Sequence, residues 1–147
     1  MNLPTEALNK GVVRYHSENI KAPKLLKKAT TNWIISTAER YGKEVGEINY
    51  IFCDDIRILE INREFLRHDY FTDVITFDYT EENLISGDIY ISVDTVKSNA
   101  QEYGVSFSQE LHRVIIHGVL HLCGFDDKTP EEQQEMRRKE DIAISMI

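Results

Sequence analysis

The chain has 147 residues, of which 41% are hydrophobic and 29% are charged, and its formal net charge is −8 at pH 7. This length predicts one folded domain over residues 1–147, since a second core of useful size would need a longer chain. Two cysteines exclude a disulfide framework, and no apolar run approaches the roughly 18 residues of a membrane helix. The first thirty residues lack the charged-then-apolar pattern of a secretory signal. We therefore expect a cytoplasmic protein with no membrane partner.

The charge is unevenly distributed along the chain. Residues 1–50 carry 8 Lys or Arg and 5 Asp or Glu, whereas the rest of the chain carries 9 basic and 20 acidic residues. An acidic excess disfavours nucleic-acid binding, because affinity for phosphates depends on cationic surface. A nucleic-acid contact would draw its cations from the N-terminal part, where Lys24, Lys27 and Lys28 share one face of a predicted helix. A solvated outer face explains these lysines equally well.

Helices and strands are predicted to intermix along the chain, without repeats or low-complexity segments. In chain order we predict an edge strand over 11–16, a helix over 23–41, a strand over 46–53, a short helix over 54–66, strands over 74–79 and 87–93, and helices over 94–103, over 108–123 and from 130 onward. Pro23 suits a first helical turn, and Thr129 with Glu132 predicts a capping box. Since no regular βαβ rhythm is present, we predict an α+β fold, a single domain with helices packed on a small mixed β-sheet.

A metal-site pattern lies at the end of the helix predicted over 108–123. His117 and His121 are four positions apart, so both project from one helical face and can offer lone pairs to the same ion. Gly124 can end the helix in a left-handed conformation, which would bring Asp126 or Asp127 back to that ion. Two imidazoles and one carboxylate suit one Zn²⁺ ion with a fourth position open for water, as in catalytic zinc sites. The surrounding apolar residues disfavour the alternative of two histidines hydrogen-bonded within a core.

The pattern differs from the metalloprotease signature His-Glu-x-x-His. Residue 118 is glycine, so no glutamate can act there as general base, and proteolysis of the zincin type is disfavoured. The acidic candidates for a base elsewhere are Asp73, Glu110 and Asp126. Glu110 lies seven residues before His117 on the same helical face, where it could hold the second nitrogen of a histidine. The alternative for Glu110 is an exposed first-turn acid favoured by the helix dipole.

These motifs together resemble the YbeY endoribonuclease family. Residues 117–126 are similar to the family signature His-Gly-x-Leu-His-Leu-x-Gly-Tyr-Asp-His, and residues 72–77 are similar to its run Thr-Asp-Val-Leu-Ser-Phe. Further matches fall at Asn62, Phe65, Asp69, residues 87–89 and Glu110. Several linked motifs in the same order are far more specific than one short pattern, and they span about residues 45–140.

Two positions depart from the family pattern. The third metal-binding histidine of the family falls on Asp127, an acceptable zinc ligand that adds a negative charge and would make a bound water less acidic. Asp126 is the alternative ligand. The arginine of the family falls on Leu66, and Arg67 stands one position later. If Arg67 does not reach the site, another cation must stabilise the phosphate.

The resemblance implies a zinc-dependent, single-strand-specific endoribonuclease that takes part in 16S ribosomal RNA 3′-end maturation and ribosome biogenesis. Its implied metal ligands are His117, His121 and Asp127, and we expect Arg67 and Glu110 to take part in catalysis. The expected partners are a ribosomal RNA precursor and the small ribosomal subunit, with a monomer as the default state. Two alternatives stay open: a metal-dependent hydrolase of a peptide, amide or nucleotide, and a non-catalytic ribosome-associated binding module with structural zinc.

Overall fold

Four strands form one mixed sheet in the computed structural model, which describes residues 11–66 and 72–147. The strands of this described part are β1 (Val12–Ser17), β2 (Glu44–Cys53), β3 (Val74–Asp78) and β4 (Leu84–Ser92). Their order across the sheet is β1-β2-β4-β3. β1 and β4 each run parallel to β2, whereas β3 is antiparallel to β4. The two edges of the sheet are therefore β1 and β3.

Five α-helices accompany the sheet within the described ranges. They are α1 (Lys27–Arg40), α2 (Asp55–Ile61), α3 (Val93–Tyr103), α4 (Phe107–Leu122) and α5 (Pro130–Ile144). α2 continues into a π-helical turn over Asn62–Leu66. This architecture confirms the predicted α+β fold, with helices on a small mixed sheet in a single domain. No described helix combines the length and the apolar character that crossing a membrane requires.

α4 is the central helix of the fold. It contacts α1, α3, α5, β3 and β4, and most of its apolar side chains are buried. The fully buried Tyr50 of β2 donates a hydrogen bond from its hydroxyl to the carbonyl oxygen of Ile115, with an O···O distance of 2.9 Å. On α1, the indole nitrogen of Trp33 donates to the carbonyl oxygen of Ala143 on α5 at 2.8 Å. These contacts hold the metal-motif helix against the sheet and tie α5 into the same core.

Gly118 allows α4 to approach the sheet closely. A Cβ atom built at Gly118 would lie 2.8 Å from Cδ1 of Ile89, a fully buried side chain of β4. That separation is far below van der Waals contact, so any side chain at this position would force the helix or Ile89 to move. Position 118 therefore faces the core, whereas His117 and His121 are only partly buried.

α1 begins later than the sequence predicts. The helix starts at Lys27 rather than at Pro23, and its buried residues are Thr30, Trp33, Ile34, Thr37 and Ala38. An additional N-terminal turn would gain little, because Leu26 is 80% exposed and helices in proteins are stabilised mainly by packing. Lys24 lies before the helix, so the predicted face shared by Lys24, Lys27 and Lys28 does not form.

Candidate metal centre

The two histidines of the motif lie on the last two turns of α4. Their Nε2 atoms are 2.9 Å apart, and the two rings are nearly perpendicular at 83° with centroids 4.5 Å apart. The positions between them, Gly118, Val119 and Leu120, are buried in the core. The same helical turn therefore packs against the sheet on one side and presents two imidazoles on the other.

A glycine turn brings the third candidate ligand to the histidines. Gly124 adopts a φ of 101°, and its N–H donates to the carbonyl oxygen of His121 at 2.9 Å. The N–H of Phe125 donates to the carbonyl oxygen of Leu120 at 3.1 Å, which completes a Schellman motif. The chain reverses here, and Oδ2 of Asp127 comes within 3.3 Å of Nε2 in both histidines. The role predicted for Gly124 is confirmed.

The three side chains fit a metal ion. One ligand atom from each of His117, His121 and Asp127 lies within 4.8 Å of the others. An ion held at roughly 2.0–2.2 Å from each ligand in a tetrahedral site would separate the ligands by about 3.4 Å, close to the 3.3 Å between the carboxylate and each imidazole. Asp126 is exposed and does not belong to this group in the described part of the chain. His117, His121 and Asp127 could therefore hold a metal ion.

Glu140 on α5 orients His117. Its Oε2 is 2.6 Å from Nδ1 of His117, and its side chain is only 6% exposed. Because a carboxylate accepts the hydrogen bond, Nδ1 carries the proton and the Nε2 lone pair of His117 faces Asp127. Burial would lower the pKa of His117, but the hydrogen bond to Glu140 and the charges of Glu140, Asp127 and Asp73 outweigh it, and the pKa is raised.

Arg113 balances the buried charge of Glu140. Its Nη1 donates to Oε1 of Glu140 at 2.9 Å, and its Nη2 donates to Oδ1 of Asp141 at 2.7 Å. Sequence reasoning did not identify Glu140, which lies 23 residues after His117 on another helix. The sequence did contain one indication: Glu140 lies on the same helical face as Met136 and Ala143, which are buried, so its side chain is expected to point inward.

The candidate metal centre opens into a cleft of about 760 Å³. Residues of β3, α3, α4 and α5 line the cleft, together with the segments that precede β3 and α5. The carboxylates among the described lining residues are Asp73, Asp78, Glu110, Asp126, Asp127 and Glu140. The basic ones are Arg113, Lys128 and Arg137, while Arg67 lies outside the described residues. The cleft is thus open, and its described lining residues include more acidic than basic groups.

Glu110 lies in the first turn of α4 and is 4% exposed, so it is not the exposed acid considered as an alternative. Burial is the main cause that raises the pKa of its carboxyl group, and the charge of Asp73 adds to this effect. The pKa of Asp73 is likewise raised, again mainly by burial. Within the described residues, the carboxylates that contact the histidines are Asp127 and Glu140, not Glu110. The expected catalytic role of Glu110 stays a prediction.

Known proteins are similar to this chain over a range that includes the whole candidate metal centre. A sequence model of the family described as Endoribonuclease YbeY matches residues 13–147. The chain belongs to the YbeY family. The Endoribonuclease YbeY of Parabacteroides distasonis is 53% identical over 92% of this chain and 95% of its own length. The Endoribonuclease YbeY of Phocaeicola vulgatus is 54% identical over 92% of this chain and 99% of its own length.

A solved structure is also similar to this YbeY chain. The solution structure of a structural-genomics target protein from Thermotoga maritima superposes with a TM-score of 0.66 at 30% sequence identity. The match covers 91% of this chain and 87% of that protein. The family resemblance read from the motifs is confirmed, and the family name describes a nuclease that hydrolyses RNA within the strand.

Proposed function

We propose that this protein is a zinc-dependent, single-strand-specific endoribonuclease that acts in 16S ribosomal RNA 3′-end maturation. The observation that carries the proposal is the convergence of His117, His121 and Asp127 at an open cleft in a chain of the YbeY family. The step in ribosome biogenesis follows from the family resemblance. With it we propose one ion per chain, a cytoplasmic location and a monomer that acts on a precursor within the small ribosomal subunit.

The donor set supports a catalytic rather than a structural metal. His117 and His121 would bind through Nε2 and Asp127 through its carboxylate, which leaves one tetrahedral position without a protein ligand from the described residues. A zinc ion bound there supplies Lewis acidity and lowers the pKa of a water molecule. Since Asp127 is an anion, it partly neutralises that effect, and the buried Glu140 further raises the electron density on His117.

Glu110 is our candidate for proton transfer. Phosphodiester cleavage requires a proton to leave the nucleophile and another to reach the leaving oxygen. Glu110 lines the cleft, and burial raises the pKa of its carboxyl group above the ordinary value, which moves it towards the operating pH of a general acid or base. Arg67 remains the candidate for phosphate stabilisation by resemblance, at a position outside the described residues.

The test compares paired and unpaired RNA of one sequence. The purified protein is treated with a chelator, supplied with Zn²⁺ or left without it, and incubated with an unstructured RNA carrying the 16S 3′-precursor sequence or with its perfect duplex. We expect cleavage of the unpaired strand only when zinc is restored. Zinc binding without cleavage would favour a binding module. Hydrolysis of a peptide or amide substrate but not of RNA would favour the other alternative.

A further inference from the structure

We infer that Arg137 binds a phosphate group of the RNA strand in the metal cleft, an inference that rests on the proposed function. Arg137 is exposed on α5 and lines the cleft together with His117 and His121. It lies three residues before Glu140, so both side chains project from the same face of α5 towards the cleft. The arginine is therefore placed beside the candidate metal centre without belonging to it.

The other basic side chains of the cleft are less suited to this role. Arg113 is 19% exposed, and its guanidinium already bonds Glu140 and Asp141. Within the described residues, Arg137 and Lys128 form no ion pair, so their charges are available to a ligand. An arginine presents a planar fork that matches two phosphate oxygens, whereas a lysine acts as a point charge. Among the described basic residues that line the cleft, Arg137 is thus the one best suited to hold and orient a phosphate.

The electrostatics of the cleft explain why such a cation is needed. The whole chain has a net charge of −8, and carboxylates outnumber basic groups among the described residues that line the cleft. An RNA strand would meet repulsion there unless cations offset it. The charge of Arg137 already lowers the pKa of Glu110, opposing the larger effect of burial. The guanidinium group of Arg137, on α5, therefore influences a carboxyl group on α4, across the cleft.

Arg138 offers a matched control on the same helix. It is also exposed, at 60% for the side chain, but it pairs with Glu135 at 2.9 Å and does not line the metal cleft. If Arg137 were only one more charge on a solvated helix, replacing either arginine would have the same effect on RNA binding. A specific phosphate contact predicts a difference between these adjacent residues.

The experiment measures binding of a 2′-O-methyl RNA strand, checked for intactness by gel electrophoresis after each measurement, to the zinc-loaded protein over a series of salt concentrations. We expect Arg137→Gln to weaken binding by about tenfold, as for loss of a charge-assisted hydrogen bond. The slope of log affinity against log salt should fall by about 0.7, the value for one phosphate contact to a single strand. Arg137→Lys should restore the slope and part of the affinity, and Arg138→Gln should resemble the wild type.

Cleavage kinetics separate this contact from a structural effect. Arg137→Gln should raise KM for unpaired RNA while zinc content and thermal stability stay at the wild-type level. Wild-type affinity and salt slope in Arg137→Gln, or equal losses in Arg138→Gln, would overturn the inference. If the wild type binds RNA through Arg137 but cleaves none, the proposed function fails and this contact stands. If the wild type cleaves RNA and Arg137→Gln has an unchanged KM, the proposed function stands and the phosphate contact of Arg137 is refuted.

Discussion

At the scale of single residues, the hydrogen bond between His117 and Glu140 determines which imidazole nitrogen is available to a metal. Oε2 of Glu140 accepts a hydrogen bond from the Nδ1–H group of His117 at 2.6 Å, so the lone pair is on Nε2, beside His121 and Asp127. A metal-bound histidine is commonly held in this way by a carboxylate, which fixes its orientation and raises its basicity. Arg113 shares the carboxylate and keeps its charge compensated in a buried position.

Replacing Glu140 with glutamine should weaken zinc binding without removing a ligand. The amide has nearly the same shape but no charge, so His117 loses part of its orientation and basicity. We expect the zinc dissociation constant to rise by about 10–100-fold, the usual effect of losing such a partner. Competition with a chromogenic chelator measures this. Glu135→Gln, an exposed position on the same helix, is the control. An unchanged zinc affinity in Glu140→Gln would contradict the role of this carboxylate.

At the scale of elements, the packing of α4 on β4 explains the departure from the metalloprotease signature. In that signature a glutamate follows the first histidine, whereas here Gly118 faces Ile89 and no side chain fits. Sequence reasoning shows only that the glutamate is missing. The structure adds that position 118 points into the core, so a glutamate placed there could not reach the cleft. The proposed cleavage reaction therefore requires a proton acceptor at another position, for which Glu110 is our candidate.

Gly118→Ala should destabilise the fold through overpacking. The added Cβ would lie 2.8 Å from Cδ1 of Ile89. We expect the free energy of unfolding to fall by about 1–3 kcal/mol, measured by urea denaturation. Ile89→Val removes the clashing atom, so the double variant should lose less stability than the two single changes added together. If the stability losses of the two single variants simply add in the double variant, the contact with Ile89 is not the cause of the loss in Gly118→Ala.

The turn at Gly124 couples helix termination to the metal centre. Gly124 and Gly104 both end helices with positive φ, at 101° and 67°, and a Cβ at either position meets no atom within 4 Å. Substitution by alanine at either should therefore cost about 1–2 kcal/mol of backbone strain. Only Gly124→Ala should also lower zinc affinity, because that turn positions Asp127. Equal zinc affinity in both variants would refute this coupling.

Local signals predicted the elements that depend on local contacts. The capping box of Thr129 and Glu132 at the start of α5 and the glycine turn after α4 were both expected, since neighbouring residues form them. The start of α1 was not, because it depends on which residues find a surface to pack against. Glu140 was missed for a related reason: its place at the apolar spacing of α5 indicates burial, but its contact with His117 joins two helices and cannot be read from either one alone.

At the scale of the whole molecule, the candidate centre joins two helices that belong to one core. His117 and His121 come from α4, Glu140 comes from α5, and Trp33 of α1 hydrogen-bonds the C-terminal part of α5. A metal held there would be bound by the folded state and released on unfolding. Zinc binding and the stability of the complete fold should therefore be linked.

Zinc should raise the melting temperature of the wild type. At a free concentration about one thousand times the dissociation constant, a ligand adds about 4 kcal/mol to the free energy of unfolding. For a protein of this size that corresponds to a rise of roughly ten degrees, which a chelator should reverse. Differential scanning calorimetry with and without zinc measures the shift. His121→Ala should show almost no zinc-dependent shift, and a full shift in that variant would place the ion elsewhere.

The central claim is tested most directly by measuring RNA cleavage and bound zinc on the same samples. The wild type is compared with His121→Ala, Asp127→Ala and Asp126→Ala at equal concentration on unpaired RNA. We predict that His121→Ala loses both zinc and cleavage, that Asp127→Ala weakens both, and that Asp126→Ala keeps its zinc. Undiminished cleavage by His121→Ala would contradict a catalytic metal held by these residues.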